Sequence, residues 1–192
     1  LSLRTAKGKS KNSGFRATTK IIISHILKEK GFSTMANTAF LPIEGIVQNI
    51  TPMQNNCCQQ MVSIRNSNGI TNMIISTDTY VINETRLRSG MPVTAFYDGN
   101  APVPLIFPPQ YQALIIGRRS ANENIAVNYF NNDLVAMDQS LRLNISPFTE
   151  IVTSNGQLYT CALANQLLII YYSITTRSIP PQTTPRKIIV LC

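Results

Sequence analysis

The chain has one histidine, His25, and no tryptophan, and from Met35 onward it has a single lysine, Lys187. A region without histidine lacks the usual general base, so Ser-His and Cys-His nucleophile designs and most zinc sites are excluded there. Lys187 follows Arg186 near the C-terminus, is expected to face solvent, and makes Schiff-base chemistry an unattractive reading. The acids Glu44, Asp78, Glu84, Asp98, Glu123, Asp133, Asp138 and Glu150 are scattered, with neither a calcium-loop pattern nor a carboxylate pair among them. "GRRSANEN" and "SGMPVTA" do not have the spacing of a phosphate loop. No apolar run reaches the length of a membrane-spanning helix, the longest being "KIIISHILK" and "NQLLIIYYSI". These absences predict a protein that is not an enzyme, with no catalytic residue, no metal, no cofactor and no membrane span.

The charge of +8 is unevenly placed. Residues 1–34 carry eight basic side chains against the single acid Glu29, whereas nine basic residues face eight acids from Met35 onward. The first segment is polar, basic and without periodicity, the signature of a disordered tail. It offers neither the apolar core nor the cleavage site of a secretory signal, so synthesis in the cytoplasm is expected. "KEKGFSTMANTAF" reads as an upstream ribosome-binding sequence followed by a start at Met35, which would place residues 1–34 outside the natural product.

What is abundant is short, β-branched, strand-like sequence. "GIVQNITP", "QQMVSIRN", "TNMIIS", "TYVIN", "MPVTAFYD" and "YQALIIG" are bounded by Gly, Asn, Pro or Ser-Asn, as strands are. "NSNG" at 66–69 and "SNG" at 154–156 are turn signals. The strands recur. Ser76 and Thr79 fall on Ser146 and Thr149, Val93 to Tyr97 on Leu168 to Tyr172, and Pro108-Pro109-Gln110 on Pro180-Pro181-Gln182. A tandem duplication predicts an all-β chain of two OB-like β-barrels, 35–117 and 118–192, joined near "GRRSANEN". One two-sheet β-sandwich built from both repeats is the alternative.

"VTAFYDGNAPVPLIFPPQY", Val93 to Tyr111, concentrates prolines and aromatics. Prolines cannot donate to a ladder, so this stretch must lie on an edge or in extended polyproline-like chain, and Asp98, Gly99 and Asn100 read as turn formers. The functional reading is a rib for docking a protein partner, with Tyr97, Phe107, Pro108, Pro109 and Tyr111 in one repeat and Pro180 and Pro181 in the other.

Cys57 and Cys58 are adjacent, Cys161 stands alone, and Cys192 is the last residue. Neighbouring cysteines rarely bond each other, so Cys57, Cys58 and Cys192 are candidates for intermolecular disulfides, while in a reducing cytoplasm they would be ordinary thiols.

"TAFYDGNAPVPLIFPPQYQA", with "ISTDTYVIN" and "TTRSIPPQTTPRKIIVL", is similar to short proteins of clostridia and related Firmicutes, over roughly residues 40 to 192. The resemblance implies a source and transfers no chemistry. With no catalytic set in view, the expectation is a structural or protein-interaction protein, through a protein partner or self-assembly, and a spore-coat or cell-envelope setting fits that source. The alternative is a single-stranded nucleic-acid-binding OB-like protein. It depends on a genuine basic tail, because the remainder is nearly neutral and lacks the charge that dominates such binding.

Overall fold

A computed structural model describes residues 38–192 apart from Asn55. The basic tail at 1–34 lies outside the described residues. The first part of the chain forms β1 (Phe40–Met53), β2 (Asn56–Asn66), β3 (Gly69–Ile75), β4 (Tyr80–Val81), a single 3-10 turn (Ile82–Glu84), β5 (Pro92–Asp98), β6 (Gln110–Gln112) and β7 (Ile115–Arg118). The second part forms β8 (Asn124–Phe130), β9 (Arg142–Leu143), β10 (Glu150–Thr153), β11 (Gln166–Tyr172), β12 (Gln182–Thr183) and β13 (Lys187–Leu191). The fold is all-β, with no α-helix among the described residues. Accordingly, none of the described residues forms a helix long and apolar enough to cross a membrane.

The pairing in the first half recurs in the second. β5 runs antiparallel to both β1 and β7, and β7 runs parallel to β4. β11 likewise runs antiparallel to β8 and β13, and β13 parallel to β10. The parallel pair β3–β6 has its counterpart in β9–β12. Loop bonds follow suit. Thr79 Oγ1 donates to the Ala113 carbonyl at 2.8 Å, and Thr149 Oγ1 donates to the Pro185 carbonyl at 2.8 Å. In each turn the serine three residues earlier receives a backbone N–H at its hydroxyl, from Asp78 in one half and Phe148 in the other. The peptide bonds Phe107-Pro108 and Ile179-Pro180 are both cis. The second half does not repeat the long β1–β2 hairpin; isolated bridges Phe130–Ala136 and Val135–Arg142 stand in its place.

Both turn signals lie at turns. Gly69 (φ +119°) closes the β2–β3 hairpin and Gly156 (φ +80°) follows β10, left-handed or mirror-side conformations that glycine adopts without a Cβ penalty.

Alternation along the central strands builds three packed clusters. On β11, Leu167, Ile169 and Tyr171 join a core shared with Ile82, Phe96 and Ile115 of the first half, whereas Leu168 and Ile170 face a core internal to the second half. On β7, Ile115 enters the shared core and Ile116 the first half's own core, with Val47, Val62 and Ile64. Strands buried on both faces explain the unbroken apolar runs "LLIIY" and "IIV". The Tyr80 hydroxyl also donates to the Ser154 carbonyl at 3.0 Å, from one half to the other.

None of the sheets closes into a barrel. The larger sheet runs β4-β7-β5-β1-β2-β3-β6, the second runs β10-β13-β11-β8, and β12-β9 is a separate two-stranded sheet. The departure from the closed barrels expected above lies in "YQALIIG", anticipated as one strand. The chain pairs with β3 through β6, breaks its ladder at Ala113 and Leu114, and resumes against β5 and β4 as β7. The backbone hydrogen bonds of Ala113 to Ile74 and of Leu114 to Phe96 go to opposite sides of that break.

Candidate functional site

β5 delivers the chain to a turn at Asp98, whose carboxylate accepts the Asn100 N–H at 2.9 Å and whose carbonyl accepts the Ala101 N–H at 3.1 Å. Asp98 is the turn former anticipated from sequence. From Ala101 to Pro108 the backbone joins no ladder, as expected where Pro102, Pro104 and Pro108 remove donors. The apolar side chains between those prolines have nowhere to pack. Leu105 (104%) and Phe107 (94%) are fully exposed, with Val103 and Ile106 also on the surface.

Of the proposed docking residues, Phe107 is the one at the crest. Pro108 and Pro109 are half-buried at its foot. Tyr97 and Tyr111 stack on each other with ring centroids 4.0 Å apart and planes at 28°, and both pack against the first half's core. Burial, and then the neighbouring Tyr111, push the Tyr97 phenol above its ordinary value. These rings support the rib from beneath. In the second half Pro180 and Pro181 are again half-buried, and Ile179, immediately before them, is fully exposed (100%). Sequence reasoning missed Leu105, Ile106 and Ile179. The available signal was their position between or beside prolines, which bars them from a sheet that could bury them.

The four cysteines are free and exposed. Cys57 and Cys58 lie where the β1–β2 register jumps, since Pro52 pairs with Gln60 and Met53 with Asn56. The extra residues therefore bulge from the outer end of the hairpin. Cys192 follows the last strand.

No protein-family model matches the chain, and no curated protein matches it either. The site must be read from its own chemistry. No cluster of three or more His, Cys, Asp or Glu side chains able to hold a metal ion occurs among the described residues. Of the local basic residues, Arg119 gives its guanidinium to Glu44 at 2.8 Å. Lys187, expected in solvent, is largely covered and reaches Glu150 at 3.0 Å.

A second region was not singled out from sequence. An open cleft of about 450 Å³ lies in the second half, between the segment leading into β8 and the one leading into β13. Arg186 and Glu123 form a two-point ion pair there, Nε to Oε1 at 2.6 Å and Nη2 to Oε2 at 3.1 Å. The guanidinium lies 5.7 Å from the centroid of the Tyr171 ring. Hydrogen bonding to Glu123 raises Arg186 above its ordinary value. Burial pushes the Tyr171 phenol up to about 12, with Glu123 adding to the shift.

Proposed function

We propose that this chain is a non-enzymatic structural protein that assembles with copies of itself through apolar crests, each half of the chain contributing one. The observation that carries the reading is the repetition of a fully exposed large apolar residue before the proline pair, Phe107 in one half and Ile179 in the other. Exposed apolar surface of this kind marks interaction sites. The stretch from Gly99 to Gly117 contains no charged side chain, so two copies could bring their first-half crests together without burying an unpaired charge, whereas the second-half crest carries Arg177 at its edge. Two crests on one chain allow each molecule to contact two neighbours, and a heterologous contact of that sort propagates an assembly. The exposed thiols of Cys57, Cys58 and Cys192 would suit cross-linking of such an assembly in an oxidising setting, such as a spore coat or cell envelope.

Each half is taken as a partly open OB-like barrel, in which β6 and β7 together act as one closing strand. The order β1-β2-β3-β6 on one side and β7-β5-β1 on the other supports it. Hydrogen–deuterium exchange at low and high protein concentration tests the assembly. Protection at 101–109 and 174–180 that rises with concentration is the expected result. Unchanged exchange there, with protection appearing on adding a single-stranded oligonucleotide, would favour the nucleic-acid alternative.

A further inference from the structure

The recurring strand pairing provides an internal control for the polar cleft, because Glu123, Phe148 and Arg186 each have a counterpart in the first half. The carbonyl of Leu114 accepts the Tyr80 N–H and that of Arg186 accepts the Glu150 N–H, which sets Leu114 against Arg186. Phe40 pairs with Asp98, and Asn124 with Tyr172, which sets Phe40 against Glu123 once Phe96 and Tyr171 are matched by their shared bonds to Leu114 and Arg186. In the first half the two positions are thus Phe40 and Leu114, both packed against the shared core. The fold is therefore satisfied by an apolar pair at this place. A partly exposed ion pair contributes little stability and costs side-chain entropy, so stability alone does not account for Glu123 and Arg186.

A third exchange falls on the same cleft. The turn residue whose N–H meets the serine hydroxyl is Asp78 in the first half and Phe148 in the second. Phe148 lines the cleft with its side chain 93% exposed, although Asp78 shows that a polar residue serves the turn equally well. Ser120, Asn122, Ser173 and Thr184 also line the cleft, and their side chains form no hydrogen bond within the described residues. The result is an exposed aromatic ring beside a planar two-point acid–base pair and a set of unspent hydroxyl and amide groups.

We propose that this cleft binds a small uncharged polyhydroxylated ring, a monosaccharide unit. Glu123 and Arg186 neutralise each other, so the cleft offers no net charge to recruit an anion or a cation. Each carboxylate oxygen retains accepting capacity, and the guanidinium keeps N–H groups beyond the two committed to Glu123. Such a pair suits adjacent hydroxyls that donate and accept together. The Phe148 ring supplies the apolar face against which the C–H side of a sugar ring rests, and the free Ser, Thr and Asn groups supply the orienting contacts that ligand pockets require.

Saturation-transfer NMR on the full chain tests the assignment, with D-glucose and N-acetyl-D-glucosamine as probes and inorganic phosphate as the anionic control. The expected result is transfer to at least one sugar, with a dissociation constant on the order of millimolar. Phe148→Ala, a surface change, should weaken that binding by about tenfold, and Glu123→Gln should weaken it as well, while phosphate does not compete. Absence of transfer to both sugars overturns the assignment, as does transfer that survives Phe148→Ala unchanged or phosphate that displaces the sugar.

Discussion

Thr79 and Thr94 show how one residue type has opposite consequences in one fold. Thr79 is buried, and its hydroxyl closes a turn by accepting the Ser76 N–H and donating to the Ala113 carbonyl. Thr79→Val should cost about 1–3 kcal/mol, since both groups lose a partner, as measured by urea unfolding. Thr94 is also buried, but its hydroxyl has no partner. Thr94→Val, of similar shape, should raise stability by about 1 kcal/mol in the same assay. Tyr171 gives a pH-dependent case. Well below pH 10 its phenol is protonated in folded and unfolded chains alike. Between pH 10 and about 12 the unfolded chain ionises while the folded one resists, so stability should fall as pH rises through that window. Tyr171→Phe, the residue found at the equivalent position Phe96, should fold and show a shallower alkaline loss. The Ser-Thr turn was legible in sequence as an aligned pair. The hydroxyl–carbonyl bonds that explain the alignment were not, because their acceptors lie more than thirty residues away.

At the level of elements, β1 is held on both sides where it passes from β5 to β2, and Gly45 sits at that crossing, opposite Val93. A Cβ at Gly45 would collide with the backbone carbonyl of Arg65 and reach 2.7 Å from the Ile64 side chain. Gly45→Ala should therefore destabilise by about 2–3 kcal/mol, an overpacking cost in which backbone must shift, read as a lowered thermal midpoint. β-Branched runs between turn residues were enough to find most of the strands, since such side chains suit a pleated, half-buried surface. The division of "YQALIIG" into β6 and β7 was not legible. Each part is a fair strand by composition, and the break at Ala113 and Leu114 arises from a change of partner, which local sequence does not encode. The rib was legible as proline-rich chain outside the sheets. Its crest was not fully read, because aromatic residues drew attention to Tyr97 and Tyr111, which the fold uses as packing.

For the whole molecule, two halves with recurring strand pairing bury one face against each other in a shared core and keep the proline-flanked crests outside it. The repeat itself was visible in the order of Ser-Thr, strand and Pro-Pro-Gln segments. The polar cleft was invisible, because its meaning lies in three differences between the repeats, at Glu123, Phe148 and Arg186, and these become comparable only through the strand register. Sedimentation velocity over a concentration series, on the full chain under reducing conditions, tests whether the chain self-assembles through the crests. The weight-average sedimentation coefficient should rise with concentration, and Leu105→Ser with Phe107→Ser should remove most of the rise without loss of folded structure. A monomer at every concentration, or association that the double substitution leaves intact, would contradict self-assembly through the crests.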